Sequence, residues 1–411
     1  MERLNRNIEQ KVTKLLNIFP VVVVLGARQV GKTTLCKLLK PNWTYFDLQN
    51  PLHAELIQND PINFFQHYPK NVIIDEAQEN QELLKTLRGI IDEDRDSNGR
   101  FLLTGSSSPE LLHRASETLA GRVGIVELGT FKTNERFQLP LSCFYNIFSD
   151  LKEAENILQQ NKPELTEQQL ISSWLIGGYP KAVINYSLAD NKQWMANYFS
   201  TYINTDITSL FPRLKRHVFQ RFLKMISRLS GTIVNKKELA KSLEISEKTV
   251  NEYINIAEGT FLWRSLLSYH GNVRKTLIKM PKGYIRDTGL LHYLLRIYLS
   301  DDLYNSPISG TSFEGFVIEE ILNGLMATTH TNWQAYYYRT KHGAEIDLVL
   351  EGDFGIVPIE IKQGIMVRQK QLISLNNFVQ ENNLPLGLVI NQSNELLWLK
   401  NNILQVPFTY L

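Results

Sequence analysis

Between Val21 and Leu35 the chain reads Val-Val-Val-Val-Leu-Gly-Ala-Arg-Gln-Val-Gly-Lys-Thr-Thr-Leu, and no other stretch restricts its fold so narrowly. The apolar, β-branched run suits a buried strand of a parallel sheet. Gly26 and Gly31 allow the following loop to curl with its N–H groups pointing inward. Lys32 and Thr33 then open a helix whose N-terminal end attracts anions. Gly26 to Thr33 satisfies G-x-x-x-x-G-K-[ST] at every fixed position. The expectation is a loop that holds a nucleoside triphosphate through Gly26, Ala27, Arg28, Gln29, Val30, Gly31, Lys32, Thr33 and Thr34. Lys32 would reach the β- and γ-phosphates, and the Thr33 hydroxyl would ligate Mg²⁺.

A chain of 411 residues exceeds one ordinary core, so about two to four domains are expected. The net charge of +2 argues against a globally basic protein, and any nucleic-acid surface must be local. Cys36 and Cys143 are the two cysteines, with no C-x-x-C and no Cys/His cluster, so a disulfide framework or structural zinc is not expected. The N-terminus lacks the apolar core of a signal peptide, and no run approaches the about 18 apolar residues of a membrane span. A cytoplasmic protein without a membrane partner is expected.

Residues 7–18 carry apolar positions at helical spacing, and the helix after the loop should stop at Pro41. Trp43 to Leu48 alternates as a strand. Asn71 to Gln78 reads as a buried strand ending in Asp75 and Glu76, the place where ligands sit in an open parallel sheet. Asp75 would hold Mg²⁺ through water, and Glu76 would polarise the attacking water. Alone, such an acidic pair is equally a solvated strand end; the upstream loop favours the functional reading. Leu83, Leu84, Leu87, Ile90 and Ile91 form a helical stripe. Strands follow at Arg100 to Ser106 and Val123 to Leu128.

In this order the first third resembles the AAA+ ATPases. The resemblance implies an ATP and Mg²⁺ site, with Thr104 or Ser106 as the polar sensor of the γ-phosphate. It puts Arg122 in the arginine-finger place, acting on a neighbour's nucleotide, with Arg114 a second candidate. The alternative for Arg122 is a surface arginine in a turn.

Residues 136–212 are mostly helical, with a break at Pro163, a turn at Gly177-Gly178-Tyr179-Pro180 and an aromatic stripe of Trp194, Tyr198 and Tyr202. A helical lid over the nucleotide cleft is expected, its aromatics serving packing. Asn235 with Glu238 three residues on suits a capping box, and Ser246 can cap a second helix. Helix, tight turn and helix form a helix-turn-helix pattern, with Phe261 to Tyr269 and Leu277 to Ile285 as a two-stranded wing near Lys279 and Lys282. Between Arg213 and Lys248 ten Lys and Arg stand against three Glu, a local basic excess suited to phosphate contact. Lys236, Lys237, Lys248, Thr249 and Asn251 are the candidate DNA contacts, although a winged helix equally serves protein partners.

Towards the C-terminus a helix begins near Gly310, and strands are expected at Trp333 to Arg339, Ala344 to Leu350, Gly355 to Ile361 and Leu386 to Asn391. Asp347 followed by Glu360-x-Lys362 resembles the D…E-x-K core of restriction-endonuclease-like nucleases. The resemblance implies Mg²⁺ at Asp347 and Glu360 with a helical acid, best matched by Glu314, and Lys362 activating water. A salt-bridged relic without activity is the alternative.

Over nearly its full length the chain resembles bacterial and archaeal AAA-family ATPases with a C-terminal domain of unknown function and an endonuclease-like fold. Besides the nucleotide motifs, the resemblance rests on Leu119-Ala120-Gly121-Arg122-Val123, Gly177-Gly178-Tyr179-Pro180, Tyr202-x-x-x-Asp206-Ile207 and Asp287-Thr288-Gly289-Leu290; Asn204-Thr205-Asp206 departs from the relatives' Arg-Asp. It implies four parts: an α/β P-loop AAA+ core (1–135), a helical lid (136–212), a winged helix-turn-helix (213–300) and an endonuclease-like domain (301–411). It further implies a homo-oligomeric ring, a hexamer favoured, acting on duplex or branched DNA. An ATP-regulated metal-dependent nuclease and a nucleotide-switched protein-binding module are the other readings.

Overall fold

A computed structural model describes residues 4–80, 82–106, 117–184, 187–203, 207–212, 214–270, 280–340 and 343–411. Arg114, Asn204, Thr205, Asp206, Arg213, Lys279 and the start of the expected strand at Leu277 lie outside the described residues. The chain divides into two units, Met1–Thr130 with Gly259–Phe261 and Met326–Thr329, and the remainder from Phe131 to Leu411.

In the first unit, β1 (Val21–Leu25), β2 (Thr44–Asp47), β3 (Val72–Asp75), β4 (Phe101–Gly105) and β5 (Val123–Glu127) form a parallel sheet in the order β2-β3-β4-β1-β5. Every residue of β1, β3 and β4 is buried, as continuous apolar runs in a parallel sheet require. β4 lies between β1 and β3, which sets its C-terminal hydroxyls between the glycine loop and the two acids. The helices Glu9–Leu16, Lys32–Leu39 and Leu83–Glu93 match the expected apolar periodicity. A Cβ at Gly26 would stand 2.3 Å from the Leu128 carbonyl oxygen, so glycine is needed where the loop leaves β1 beside the exit of β5.

The second unit contains a nine-stranded sheet ordered β13-β14-β12-β11-β10-β9-β7-β8-β6. Its strands are β6 (Thr232–Ile233), β7 (Trp263–Ser268), β8 (Lys282–Ile285), β9 (Trp333–Arg339), β10 (Glu345–Gly352), β11 (Gly355–Lys362), β12 (Gly387–Asn391), β13 (Leu397–Lys400) and β14 (Ile403–Pro407). β7 and β8 pair antiparallel, as a wing should, but β7 also pairs in parallel with β9, Leu267 opposite Tyr336. The expected division at residue 300 therefore falls within one continuous sheet, because β9 satisfies the backbone groups on β7's second edge.

The expected lid segment differs in a similar way. Phe144, Tyr145, Phe148 and Trp174 are buried in one core with Phe313, Phe316 and Val317 of the helix Ser309–Ala327. Those aromatics thus complete the second unit's own core. Lys132, within the expected first domain, belongs to this unit too: its ammonium donates to Glu320 Oε2 at 2.7 Å and to Tyr145 Oη at 2.9 Å.

Candidate active site

The glycine loop turns through Gln29 (φ 64°) and Gly31 (φ 96°), and Lys32 starts the helix that follows. Lys32 is buried and donates to the carbonyls of Gly26 and Ala27, each at 3.0 Å. Its ammonium thereby closes the loop on itself. Burial pulls Lys32 down to about 8, against the opposing pull of Glu76 and Asp75. Ala27 and Val30 are buried, Arg28 and Thr33 are half-buried, and Gln29 and Thr34 are exposed.

Asp75 ends β3 and gathers three hydroxyls. Thr33 Oγ1 donates to its Oδ2 at 2.7 Å, Tyr45 Oη donates to the same oxygen at 2.8 Å, and Thr104 Oγ1 donates to Oδ1. Thr104 also accepts from the Glu76 amide at 3.2 Å, so one β4 hydroxyl holds both acidic residues. Burial and the bond to Asp75 push the Tyr45 phenol up. Glu76 adopts a left-handed backbone (φ 54°, ψ 49°), unusual for a residue with a side chain and typical of functional sites. Its Oε2 accepts from Ser106 Oγ and from Gln78 Nε2, both at 2.5 Å. Both hydroxyls expected at the tip of β4 therefore contact the acids, in different roles.

Tyr45 and Gln78 escaped the sequence reading. Tyr45 sits on β2, 30 residues before Asp75, and only the β2–β3 register, with Asp47 opposite Asp75, brings it near. Gln78 lies two residues beyond Glu76, and by sequence it is an ordinary polar turn residue. Arg122, just before β5, has its guanidinium on Asp92.

The C-terminal motif is differently built. Lys282, from β8, donates to Glu314 Oε1 and Glu345 Oε1 at 2.6 Å each and lies 3.7 Å from Asp347. Lys362 lies 2.5 Å from Glu360 and 3.5 Å from Asp347. Tyr284 Oη donates to Glu314. Burial and the neighbouring Asp347 raise Glu314 to about 7 and Glu360 to about 8. Glu314 joins Asp347 through Lys282, whereas Glu320, six residues further along the same helix, is tied to Lys132 and Thr133. These residues do not fit a divalent metal. The carboxylates are distributed around two ammoniums, and among the described residues no group of three or more His, Cys, Asp or Glu converges to hold a metal ion. Lys282, expected near the strand of the wing, is buried in this cluster.

Of the candidate DNA contacts, Lys237, Lys248 and Asn251 are exposed on the helices Lys236–Leu243 and Glu247–Gly259. Lys236 bridges the two helices through Asn251 Oδ1 at 2.6 Å, and Thr249 is bonded to Ser246. Asn235 caps the first helix by accepting from the amides of Lys237 and Glu238.

A parallel β2-β3-β4-β1-β5 sheet, a phosphate loop on β1, acids on β3 and a hydroxyl strand between them define a P-loop ATPase of the AAA type. Comparison with known proteins agrees. Residues 19–137 match the AAA domain family, residues 167–301 a domain of unknown function (DUF8612) and residues 309–411 another (DUF4143). The chain belongs to the family of an uncharacterized protein of Mycobacterium tuberculosis, to which it is 33% identical over 349 residues, covering 84% of this chain and 71% of that protein. An uncharacterized protein of Mycobacterium bovis matches with the same identity and coverage. Among solved structures, the chain is similar to a Walker-type ATPase of Pyrococcus abyssi (15% identity, TM-score 0.40, 71% of this chain and 96% of that one). It is also similar to the RuvB Holliday junction branch migration motor of Thermotoga maritima (18% identity, TM-score 0.31, 63% and 88%). Membership of the AAA domain family implies nucleotide binding, usually with Mg²⁺. Among the described residues no helix is long and apolar enough to cross a membrane.

Proposed function

We propose that the chain is a Mg²⁺-dependent ATPase of the AAA+ type that assembles as a ring and acts on duplex or branched DNA. The observation that carries the ATPase part is the meeting of Thr33 Oγ1 and Asp75 Oδ2 at 2.7 Å, across 42 residues of sequence. A hydroxyl and a carboxylate oxygen in contact are hard donors, which fits Mg²⁺ held by Thr33 and Asp75. When bound, the ion neutralises charge on the phosphates. Lys32 would release the Gly26 and Ala27 carbonyls and bind phosphate oxygens. Glu76 would accept a proton from the attacking water, with Thr104 and Ser106 fixing the two acids. Arg122 would act on the nucleotide of a neighbouring subunit.

The DNA part rests on the exposed Lys237, Lys248 and Asn251 of the two helices, within the basic stretch of 213–248. In this reading residues 213–300 are a winged helix whose wing is shared with an endonuclease-like α/β region, and 136–212 are helical elements supporting it. Lys282 and Lys362 hold the C-terminal carboxylates in ion pairs, which favours a stabilising cluster over a cutting site. The test is an ATPase assay with single-stranded, duplex, forked and four-way DNA, together with DNA binding by the Glu76→Gln protein in ATP. Stimulation and a mobility shift by at least one DNA are expected; indifference to every DNA overturns the DNA part alone.

A further inference from the structure

Gln78 donates its amide nitrogen to Glu76 Oε2 at 2.5 Å and towards Ser106 Oγ at 3.4 Å. An amide oxygen cannot face a carboxylate oxygen at that distance, so the orientation of the carboxamide is chemically fixed. Its other end is the unusual one. Gln78 Oε1 is buried and meets no hydrogen-bond donor among the described residues. A buried acceptor left without a donor costs roughly 1–3 kcal/mol, and such groups in native proteins commonly serve a water or a ligand.

The backbone puts the two side chains on one turn. Glu76 is left-handed and Ala77–Glu79 forms a single 3₁₀ turn, closed by the Glu79 amide on the Glu76 carbonyl at 3.0 Å. Both donors, Ser106 and Gln78, go to Glu76 Oε2. Among the described residues Glu76 Oε1 and Gln78 Oε1 are thereby left as two acceptors on the same turn, and a water molecule offers two hydrogens.

We propose that Gln78 is a water-positioning residue: Gln78 Oε1 and Glu76 Oε1 each accept one hydrogen of the water that attacks ATP. This rests on the ATPase reading above. The water oxygen bonds to the γ-phosphorus as the bond from that phosphorus to the β–γ bridging oxygen breaks, leaving the electron pair on the ADP oxygen. The water's proton passes to Glu76, and the products are ADP and inorganic phosphate. Glutamine orients the attacking water in other P-loop hydrolases by the same chemistry.

The test compares wild type with Gln78→Leu and Gln78→Glu in ATP hydrolysis, in binding of a non-hydrolysable ATP analogue, and in trapping of ADP–aluminium fluoride, which requires a positioned water. For Gln78→Leu, kcat is expected to fall about 10- to 100-fold with KM for ATP within about twofold. Trapping should weaken in step while analogue binding stays level. Gln78→Glu keeps an acceptor but sets a second carboxylate against Glu76 Oε2, so its hydrolysis should fall as well and should partly recover as the pH is lowered. If Gln78→Leu melts early, Gln78→Met replaces it. A folded variant with wild-type kcat overturns the proposal, as does an equal loss of analogue binding and trapping, which marks a structural role. A wild-type protein that neither binds nor hydrolyses ATP overturns the ATPase reading itself.

Discussion

Arg122 donates twice to one oxygen of Asp92, through Nε at 2.9 Å and Nη2 at 2.7 Å. Arg95 lies 3.1 Å and Arg88 3.9 Å from the same carboxylate, so Asp92 gathers three guanidiniums. The hydrogen bonds from Arg122 hold Asp92 below the usual carboxylate range. An arginine that acts on a neighbour's ATP must leave this partner or carry it along. Arg122→Ala is expected to lose roughly 10³-fold or more in kcat, as arginine fingers do. Mixing it with Lys32→Ala subunits should restore part of the activity, because each variant supplies what the other lacks. Wild-type hydrolysis by Arg122→Ala, or no recovery on mixing, would mean that Arg122 only anchors Asp92.

Lys282 separates three buried or partly buried carboxylates. Removing it as Lys282→Met leaves Glu314 without an ammonium of its own beside Asp347, which keeps Lys362, at an expected cost of about 3–5 kcal/mol. Because burial beside Asp347 already raises Glu314 to about 7, the variant should regain stability as the pH falls and Glu314 becomes neutral. Urea unfolding at pH 8 and pH 6 checks both points. Addition of Mn²⁺ without nucleotide should leave the wild-type unfolding midpoint unchanged; a large stabilisation lost in Asp347→Ala would instead reveal a metal site.

His292 gives the second unit's core a sensitivity to acid opposite in sign to that of Glu314. Its Nδ1 donates to the Leu175 carbonyl at 2.8 Å, which leaves Nε2 to accept from Ser312 Oγ at 2.7 Å. Trp174 Nε1 donates to the same serine at 3.0 Å. Burial depresses His292 to about 4 from an ordinary value of 6.5. Between these values the unfolded chain binds a proton that the folded chain refuses, so stability is full above pH 6.5 and is lost as the pH falls towards 4. The loss from pH 7 to pH 5 is roughly 2 kcal/mol from this residue. His292→Gln should be less stable at pH 7 but should lose less between pH 7 and pH 5, measured by urea unfolding.

Surface lysines on the helix-turn-helix segment carry the DNA expectation. Lys237→Ala and Lys248→Ala should each weaken DNA binding across sequences and reduce the slope of log affinity against log salt by about 1. Asn251→Ala should alter sequence preference more than salt dependence. Unchanged slopes in both lysine variants would move the DNA surface elsewhere.

The first unit was legible because its constraints are local. A valine run, two glycines and a lysine at fixed spacing determine strand, loop and helix together, and the acids end the next buried run. Tyr45 and Gln78 were not legible, since neither departs from the pattern of an ordinary strand or turn; only strand register and the left-handed Glu76 bring them to the acids. In the second unit the local pattern of helices and strands could be read, but not their assembly. The β7–β9 pairing joins residues 69 positions apart at Leu267 and Tyr336, and no periodicity encodes it. Lys282 shows the consequence: a lysine beside an expected wing strand becomes, through that sheet, a counter-charge of Glu314 and Asp347. The strands β13 and β14 and the helix Ile373–Glu381 likewise lie in short stretches without a clear period.

The Thr33–Asp75–Glu76 constellation is the central claim, and Glu76→Gln addresses it most directly. The substitution preserves shape and removes the charge that accepts the water's proton. With Mg²⁺ and ATP, equilibrium binding should remain within a few-fold of wild type while single-turnover hydrolysis falls about 10²- to 10⁴-fold, the range for loss of a general base. Hydrolysis at the wild-type rate by the Glu76→Gln protein, with ATP bound, would contradict the assignment of this site.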